Sequence, residues 1–131
     1  MRLSDFCVGV SLAAATLVPL AAAAQDVVGG YAAWIGTDDL YNSEGARLSQ
    51  PWQVLRQDRA NYHRFGIWQE GDEWDPFFED ADNRAAMERM IMEGYISPAA
   101  ARAIVQGNVM VYVTIHGSGG RGDWVEVEVY D

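Results

Sequence analysis

The sequence lacks lysine and contains a single cysteine, Cys7, among its 131 residues. Cys7 lies in an N-terminal segment with the features of a signal peptide, so no cysteine remains in residues 25–131. Because a disulfide needs two cysteines, that part of the chain must be held together by its core alone. Export without disulfides is more typical of a bacterial envelope than of a eukaryotic extracellular protein.

Positive charge is scarce as well, since 9 basic residues stand against 19 acidic ones and the net charge is −10 at pH 7. A protein this acidic repels phosphate backbones and anionic lipid surfaces, so we expect no nucleic-acid partner and no binding to anionic membranes. Cationic proteins, peptides and metal ions remain electrostatically favourable. The alternative interpretation is that the surplus acid only keeps the protein soluble.

A long apolar run occurs only near the N-terminus. Arg2 precedes the run Val8–Leu20, and Ala22–Ala24 has the small-residue pattern that signal peptidase cleaves. The run is shorter than the roughly 20 residues that a membrane-spanning helix needs. We therefore expect residues 1–24 to be a cleaved signal peptide. The protein would be periplasmic or secreted, with no stable membrane anchor after cleavage.

Residues 25–131 have the pattern of a single small domain. Aromatic and β-branched residues in Tyr31–Ile35 predict a strand, and Pro51 predicts the start of a helix that ends at Gly66. Apolar residues at spacings of three and seven predict one buried face of this helix: Trp52, Leu55, Tyr62 and Phe65.

Two shorter helices are predicted next. The first is capped by Asp80 or Asp82 and stops at Gly94, where a left-handed residue would end it. The second begins at Ser97-Pro98 and stops at Gly107.

Alternating β-branched residues in Val109–Ile115 and Val125–Val129 predict a hairpin around the glycine-rich turn His116–Asp123. One face of this hairpin should be buried and the other solvated. The order of elements predicts an α+β fold, with a small, mostly antiparallel sheet and about three helices packed on one of its faces.

The segment Gln57–Phe78 concentrates the residues that could form a site. Basic residues on the first helix lie three and four apart and share one flank, and the acidic segment Glu70–Asp82 follows. We expect that segment to be an ordered loop whose aromatic residues fill the core while its acids face outward, opposite the arginines. The candidate binding residues are Arg56, Arg59, His63, Arg64, Trp68, Glu70, Asp72, Glu73, Trp74 and Asp75.

Catalysis and calcium binding are the two kinds of chemistry that these residues suggest. His63 with Asp58 could form a base, but no serine or cysteine nucleophile with a recognisable motif accompanies them, which favours a structural histidine. The carboxylates between Glu70 and Asp82 could bind calcium, but their spacing does not match the familiar calcium loop, which favours solvated acids and helix caps.

The sequence therefore predicts an exported, non-enzymatic binding protein with an acidic surface, no cofactor, and a cationic protein or peptide of the envelope as its partner. The alternatives are a small hydrolase that uses His63 with nearby carboxylates, or a calcium- or sugar-binding module. Partly exposed tryptophans would support sugar binding. The sequence does not indicate an oligomeric state.

Overall fold

The computed structural model describes residues 25–130, so the expected signal peptide lies outside the described residues. The elements are β1 (Asp26–Ile35), a 3-10 turn (Thr37–Leu40), α1 (Pro51–Ala60), a π-helical turn (Asn61–Phe65), α2 (Ala81–Ala85), α3 (Met87–Met92), β2 (Tyr95–Ile96), α4 (Pro98–Gln106), β3 (Val109–Ser118) and β4 (Arg121–Tyr130). No helix in this part of the chain is long and apolar enough to cross a membrane.

The strands form one sheet in the order β1-β3-β4-β2. The pairs β1/β3 and β3/β4 are antiparallel, and β2 pairs with β4 in parallel. The predicted α+β class with a mostly antiparallel sheet is confirmed. The parallel strand β2 was not predicted, because its two residues are too short to show an alternating pattern.

The core lies between one face of the sheet and the helices. In Tyr31–Ile35 of β1, Val111–Gly117 of β3 and Val125–Val127 of β4, alternate residues are buried, as the period of two requires. The buried side chains of the sheet and helices form one cluster, which includes Tyr31, Ala33, Ile35, Val54, Leu55, Phe78, Met87, Met90, Ile104, Val111, Val113, Ile115, Val125 and Val127.

The first helix begins at Pro51 and its π-helical extension ends at Gly66, as predicted. Gly66 has a φ of 67°, a left-handed conformation that glycine adopts without strain. The prediction that Phe65 is buried is wrong, because its side chain is 46% exposed. The π-helical turn adds to the residues per turn, so it rotates Phe65 out of the row that contains Leu55.

The helical region after Asp80 is divided at Ala86 into α2 and α3, where a single helix was predicted. Asp80 caps α2 by accepting a hydrogen bond from the Asp82 amide. α3 ends at Met92, and the predicted left-handed stop at Gly94 is wrong, because Gly94 is not among the described glycines with a positive φ. A glycine is needed there for another reason, since an added Cβ would lie 1.9 Å from the carbonyl oxygen of Val125. This close approach places the end of α3 directly against β4.

The last helix and the hairpin follow the prediction closely. Ser97 Oγ accepts a hydrogen bond from the Ala100 amide, and α4 ends before Gly107. The strands of the hairpin extend further than predicted, which leaves only Gly119 and Gly120 between them, at φ values of 59° and 79°. Both conformations are left-handed, so glycine suits each position.

Candidate functional site

Arg59 on α1 is fully buried and connects this helix to the acidic loop. Its Nε donates to Asp58 Oδ2 at 2.8 Å. Its Nη1 donates to Asp75 Oδ1 and to the backbone oxygen of Glu73, each at 2.9 Å. The predicted facing of helix arginines and loop acids is therefore seen for Arg59, through a buried ion pair.

Two aromatic rings pack against this guanidinium. The Cζ atom of Arg59 lies 3.9 Å from the centre of the Tyr31 ring and 4.8 Å from that of Tyr62. Burial lowers the pKa of Arg59, but electrostatic attraction to neighbouring groups raises it, and Asp58 makes the largest of these contributions. The net effect is a pKa above the usual value. The side chain is therefore a permanent cation inside the core.

Asp75 is the centre of a second set of contacts. Its Oδ1 also lies 2.9 Å from Nε2 of His63, and its Oδ2 accepts the backbone N–H of Phe78. The expectation that the loop's acids all face outward is wrong for Asp75, which is buried, and Trp74 is exposed instead. The buried Arg59 cation requires a counter-charge, so an acid takes the inner position and Phe78 fills the core.

Asp72 and Glu73 attach the same loop to the outer edge of β1. Asp72 Oδ1 accepts the Trp34 amide at 2.8 Å, and Glu73 Oε1 accepts the Ala32 amide at 2.7 Å. The Glu73 amide donates in turn to the carbonyl of Ala32 at 2.9 Å. The loop thus takes the position of a further strand along this part of the edge.

A second buried polar cluster, centred on Asp39, was not predicted from the sequence. Asp39 is fully buried and accepts hydrogen bonds from the Gly36 amide and from Asn61 Nδ2, each at 2.9 Å. Gln57 Nε2 donates to Asn61 Oδ1 at 2.8 Å. The sequence evidence for this cluster was the spacing of four between Gln57 and Asn61, because that spacing places two amide side chains on one helix face.

Burial raises the pKa of two of the buried aspartates, Asp39 and Asp58. The pKa of Asp39 rises from 3.8 to about 6, although its hydrogen bonds from Asn61 and Gly36 oppose the change. Burial likewise raises the pKa of Asp58 to about 7, against the attraction of Arg59. Both carboxyl groups therefore gain protons at milder pH than exposed aspartates.

Other predicted site residues are separate from this network. Arg56 lies over the Trp52 ring at 5.0 Å, and Arg64 lies over the Phe65 ring at 4.9 Å; both arginines are exposed. Glu70 is exposed as well. The predicted set is thus divided into three parts. The side chains of Arg59, His63 and Asp75 are buried, those of Asp72 and Glu73 bind the edge of β1, and the remaining residues are exposed, namely Arg56, Arg64, Trp68, Glu70 and Trp74.

The buried residues are arranged for a structural role. A histidine hydrogen-bonded to an aspartate can act as a base, but the His63 side chain is only 3% exposed and its Nε2 faces Asp75. Among residues 25–130, no group of three or more His, Cys, Asp or Glu side chains is placed to hold a metal ion. The contacts that are present fix the acidic loop to α1 and β1.

The segment that leads into these contacts exposes several large apolar side chains. Trp68 is 65% exposed and Trp74 is 58% exposed, and Phe65 and Ile67 are exposed beside them in the sequence. We call residues 65–74 the aromatic loop. No family model, curated protein or solved structure matches the chain, so its own geometry is the basis for interpreting this loop.

Proposed function

We propose that the protein is an exported binding protein, without chemistry of its own, that engages a cationic protein or peptide of the envelope through the aromatic loop. The observation that carries this proposal is that the loop is hydrogen-bonded to β1 through Asp72 and Glu73 while Trp68 and Trp74 are exposed. Export rests on the signal-peptide pattern of residues 1–24.

The exposed rings supply the binding energy in this proposal. Small soluble proteins rarely leave several large apolar side chains together at the surface unless the surface is used. Tryptophan is among the residues that contribute most to binding energy in protein interfaces, because it buries a large area with few rotatable bonds. Trp68 and Trp74 are thus the residues on which affinity should depend most.

The rigidity of the loop supports a binding role as well. The bonds from Asp72 and Glu73 to β1 hold the C-terminal end of the loop, and the Arg59–Asp75 ion pair holds the residue that follows it. A loop that is already ordered loses little conformational entropy when a partner binds. An attached loop with exposed tryptophans therefore favours recognition over a purely structural role.

Charge selects the class of partner. The net charge of −10 attracts cations from a distance, and Glu70 is exposed between Trp68 and Trp74 in the loop. Such a field accelerates association with a basic partner and disfavours acidic ones. Guanidinium and ammonium groups also bind favourably to tryptophan faces.

To test this, residues 25–131 are immobilised and used to capture proteins from an envelope extract. Each captured protein is then purified, and its binding is measured again. The double variant Trp68→Ala/Trp74→Ala should weaken binding about tenfold or more, because two anchor rings are lost. Glu70→Arg should slow association with a basic partner. The matched controls are Met92→Ala and Glu88→Arg, which change exposed residues of α3.

Binding that survives the double tryptophan variant, or that falls equally with Met92→Ala, would contradict the proposal. So would binding that does not weaken as salt is added, because the charge contribution would then be absent.

Sugar binding is the second candidate, because Trp68 and Trp74 could also stack on sugar rings. Titration with neutral oligosaccharides separates the two functions. A sugar complex would be insensitive to salt and to Glu70→Arg, whereas a cationic protein complex would respond to both.

A further inference from the structure

A groove lies between α4 and the outer edge of β4, away from the aromatic loop in sequence. Its volume is about 680 Å³. Its lining includes Tyr95, Ala100 and Ala103 on one side and Glu128, Val129 and Tyr130 of β4 on the other.

Within residues 25–130, the outer edge of β4 is covered by contacts along its middle but open beside this groove. Arg89 Nη1 donates to the Asp123 carbonyl at 3.0 Å, and Gly94 lies directly against the Val125 carbonyl. β2 then pairs with Glu126 and Val127. In the described part of the chain, Glu128–Tyr130 is the stretch after these contacts that has no strand pairing on its outer side. An open strand edge is a template for pairing with another chain.

The shape of the groove suits an extended peptide. Ala100 and Ala103 of α4 are small, so they leave room opposite Val129 for apolar side chains from an added strand. Side chains of a strand alternate between faces, so every second residue of the peptide would enter this space. The exposed rings of Tyr95 and Tyr130 border it. A groove between a helix and an open strand edge is how several peptide-binding domains accept a strand.

Charge indicates what the other residues of the peptide should be. Glu128 is the charged residue that lines the groove, and the Tyr130 hydroxyl donates to its Oε2 at 2.8 Å. Glu126 lies two residues earlier in β4, on the same face of the sheet. Peptide residues beside these carboxylates should carry lysine or arginine. A second copy of the chain is a poorer occupant, because each copy has a net charge of −10.

We propose that the β4 edge at Glu128–Tyr130 and the groove beside α4 bind an extended peptide in which apolar residues alternate with basic ones. The peptide adds to the sheet as a strand, in line with β2. This site is separate from the aromatic loop and does not depend on the function proposed for that loop.

The test uses a short capped peptide of alternating valine and arginine, titrated against residues 25–131 and followed by amide resonances and hydrogen exchange. A matched peptide of alternating valine and glutamate is the charge control. The arginine peptide should bind, and it should slow the exchange of amides in Glu128–Tyr130.

Two variants locate the site. Glu128→Arg should reverse the preference between the peptides, with a loss of about tenfold or more for the arginine peptide, because an attractive pair becomes repulsive. Its matched control is Glu88→Arg on α3. Ala103→Trp fills the groove and should abolish binding, whereas Ala85→Trp, at an exposed position of α2, should not. Since Glu128 is exposed, its substitution keeps the test valid if Ala103→Trp impairs folding.

Several results would overturn the proposal. They are failure of the arginine peptide to bind, equal binding of both peptides, or binding that Glu128→Arg leaves unchanged. A doubled molecular mass in solution, with slowed exchange of the same amides before any peptide is added, would identify a second copy as the occupant instead. The double variant Trp68→Ala/Trp74→Ala should leave peptide binding intact, which separates this site from the aromatic loop.

Discussion

Arg59 and Asp75 form an ion pair at 2.9 Å with both side chains buried, and this pair joins α1 to the loop that follows it. Charges withdrawn from water are costly, and a buried pair often contributes little net stability compared with an apolar pair of the same shape. The removal of one partner is different, because it leaves the other charge buried and uncompensated. The pair therefore acts as a constraint on where the loop lies.

The first prediction concerns Arg59→Met. This change leaves Asp58 and Asp75 buried without their cation, so the free energy of unfolding should fall by about 3–5 kcal/mol. Arg56→Met is the matched control, since Arg56 is exposed, and it should cost less than about 1 kcal/mol. Urea denaturation of both variants measures the difference. Equal losses in the two variants would show that the buried pair does not hold the loop.

The second prediction concerns the attachment of the aromatic loop to β1. Asp72→Ala removes the acceptor of the Trp34 amide, so hydrogen exchange at this amide should become faster while the rest of the sheet is unchanged. Glu70→Ala removes an exposed carboxylate two residues earlier and should leave the Trp34 amide as it is. Exchange that is equally slow in Asp72→Ala would contradict the attachment.

The third prediction concerns the pH dependence of stability. Burial raises the pKa of Asp39 to about 6, so between its ordinary pKa of 3.8 and this value the folded protein holds a proton that the unfolded chain has lost. The contribution of Asp39 to the free energy of unfolding is therefore fully present below the ordinary pKa and is lost as the pH rises through about 6.

The variant Asp39→Asn isolates this effect, because an amide does not titrate. The stability of the wild type relative to this variant should fall by about 2–3 kcal/mol as the pH is raised from about 4 to about 7. Urea denaturation across this range provides the measurement. Parallel stability curves for the two proteins would mean that Asp39 titrates as an exposed carboxylate does.

The fourth prediction concerns Gly94. An added Cβ would lie 1.9 Å from the Val125 carbonyl oxygen, and backbone atoms on both sides prevent relaxation, so Gly94→Ala should be severely destabilising or prevent folding. Gly45→Ala is the control, because no atom lies within 4 Å of its added Cβ. Its left-handed φ alone should cost about 1–2 kcal/mol. Similar thermal stabilities of the two variants would contradict the close contact.

Much of the fold could be predicted from the sequence because the strands and helices show their periods clearly. Alternating valines in β3 and β4 and the capping residue Ser97 of α4 indicate structure by local rules alone. The two residues of β2 are too few for a period, and the π-helical turn has no pattern of its own. These elements depend on tertiary contacts that a local rule does not contain.

The candidate site was predicted less completely, for a physical reason. An acidic segment is expected to be solvated, and only the position of Arg59 inside the core makes Asp75 its buried counter-ion. Asp39 was missed for the same reason, since one of its hydrogen-bond donors is Asn61, 22 residues away in the chain. Polar residues that are satisfied by distant partners look the same in sequence as polar residues on the surface.

The hydrogen bonds from Asp72 and Glu73 to β1 have a consequence for self-assembly. A bare strand edge next to an open sheet face is where fibrils begin, because each added molecule supplies the template for the next. Carboxylate oxygens already occupy the amides of Ala32 and Trp34. A strand from a second molecule would have to displace the Asp72 and Glu73 carboxylates from these amides, and the displaced charges would then repel the equally acidic newcomer. Polymerisation from this side of the sheet is therefore suppressed.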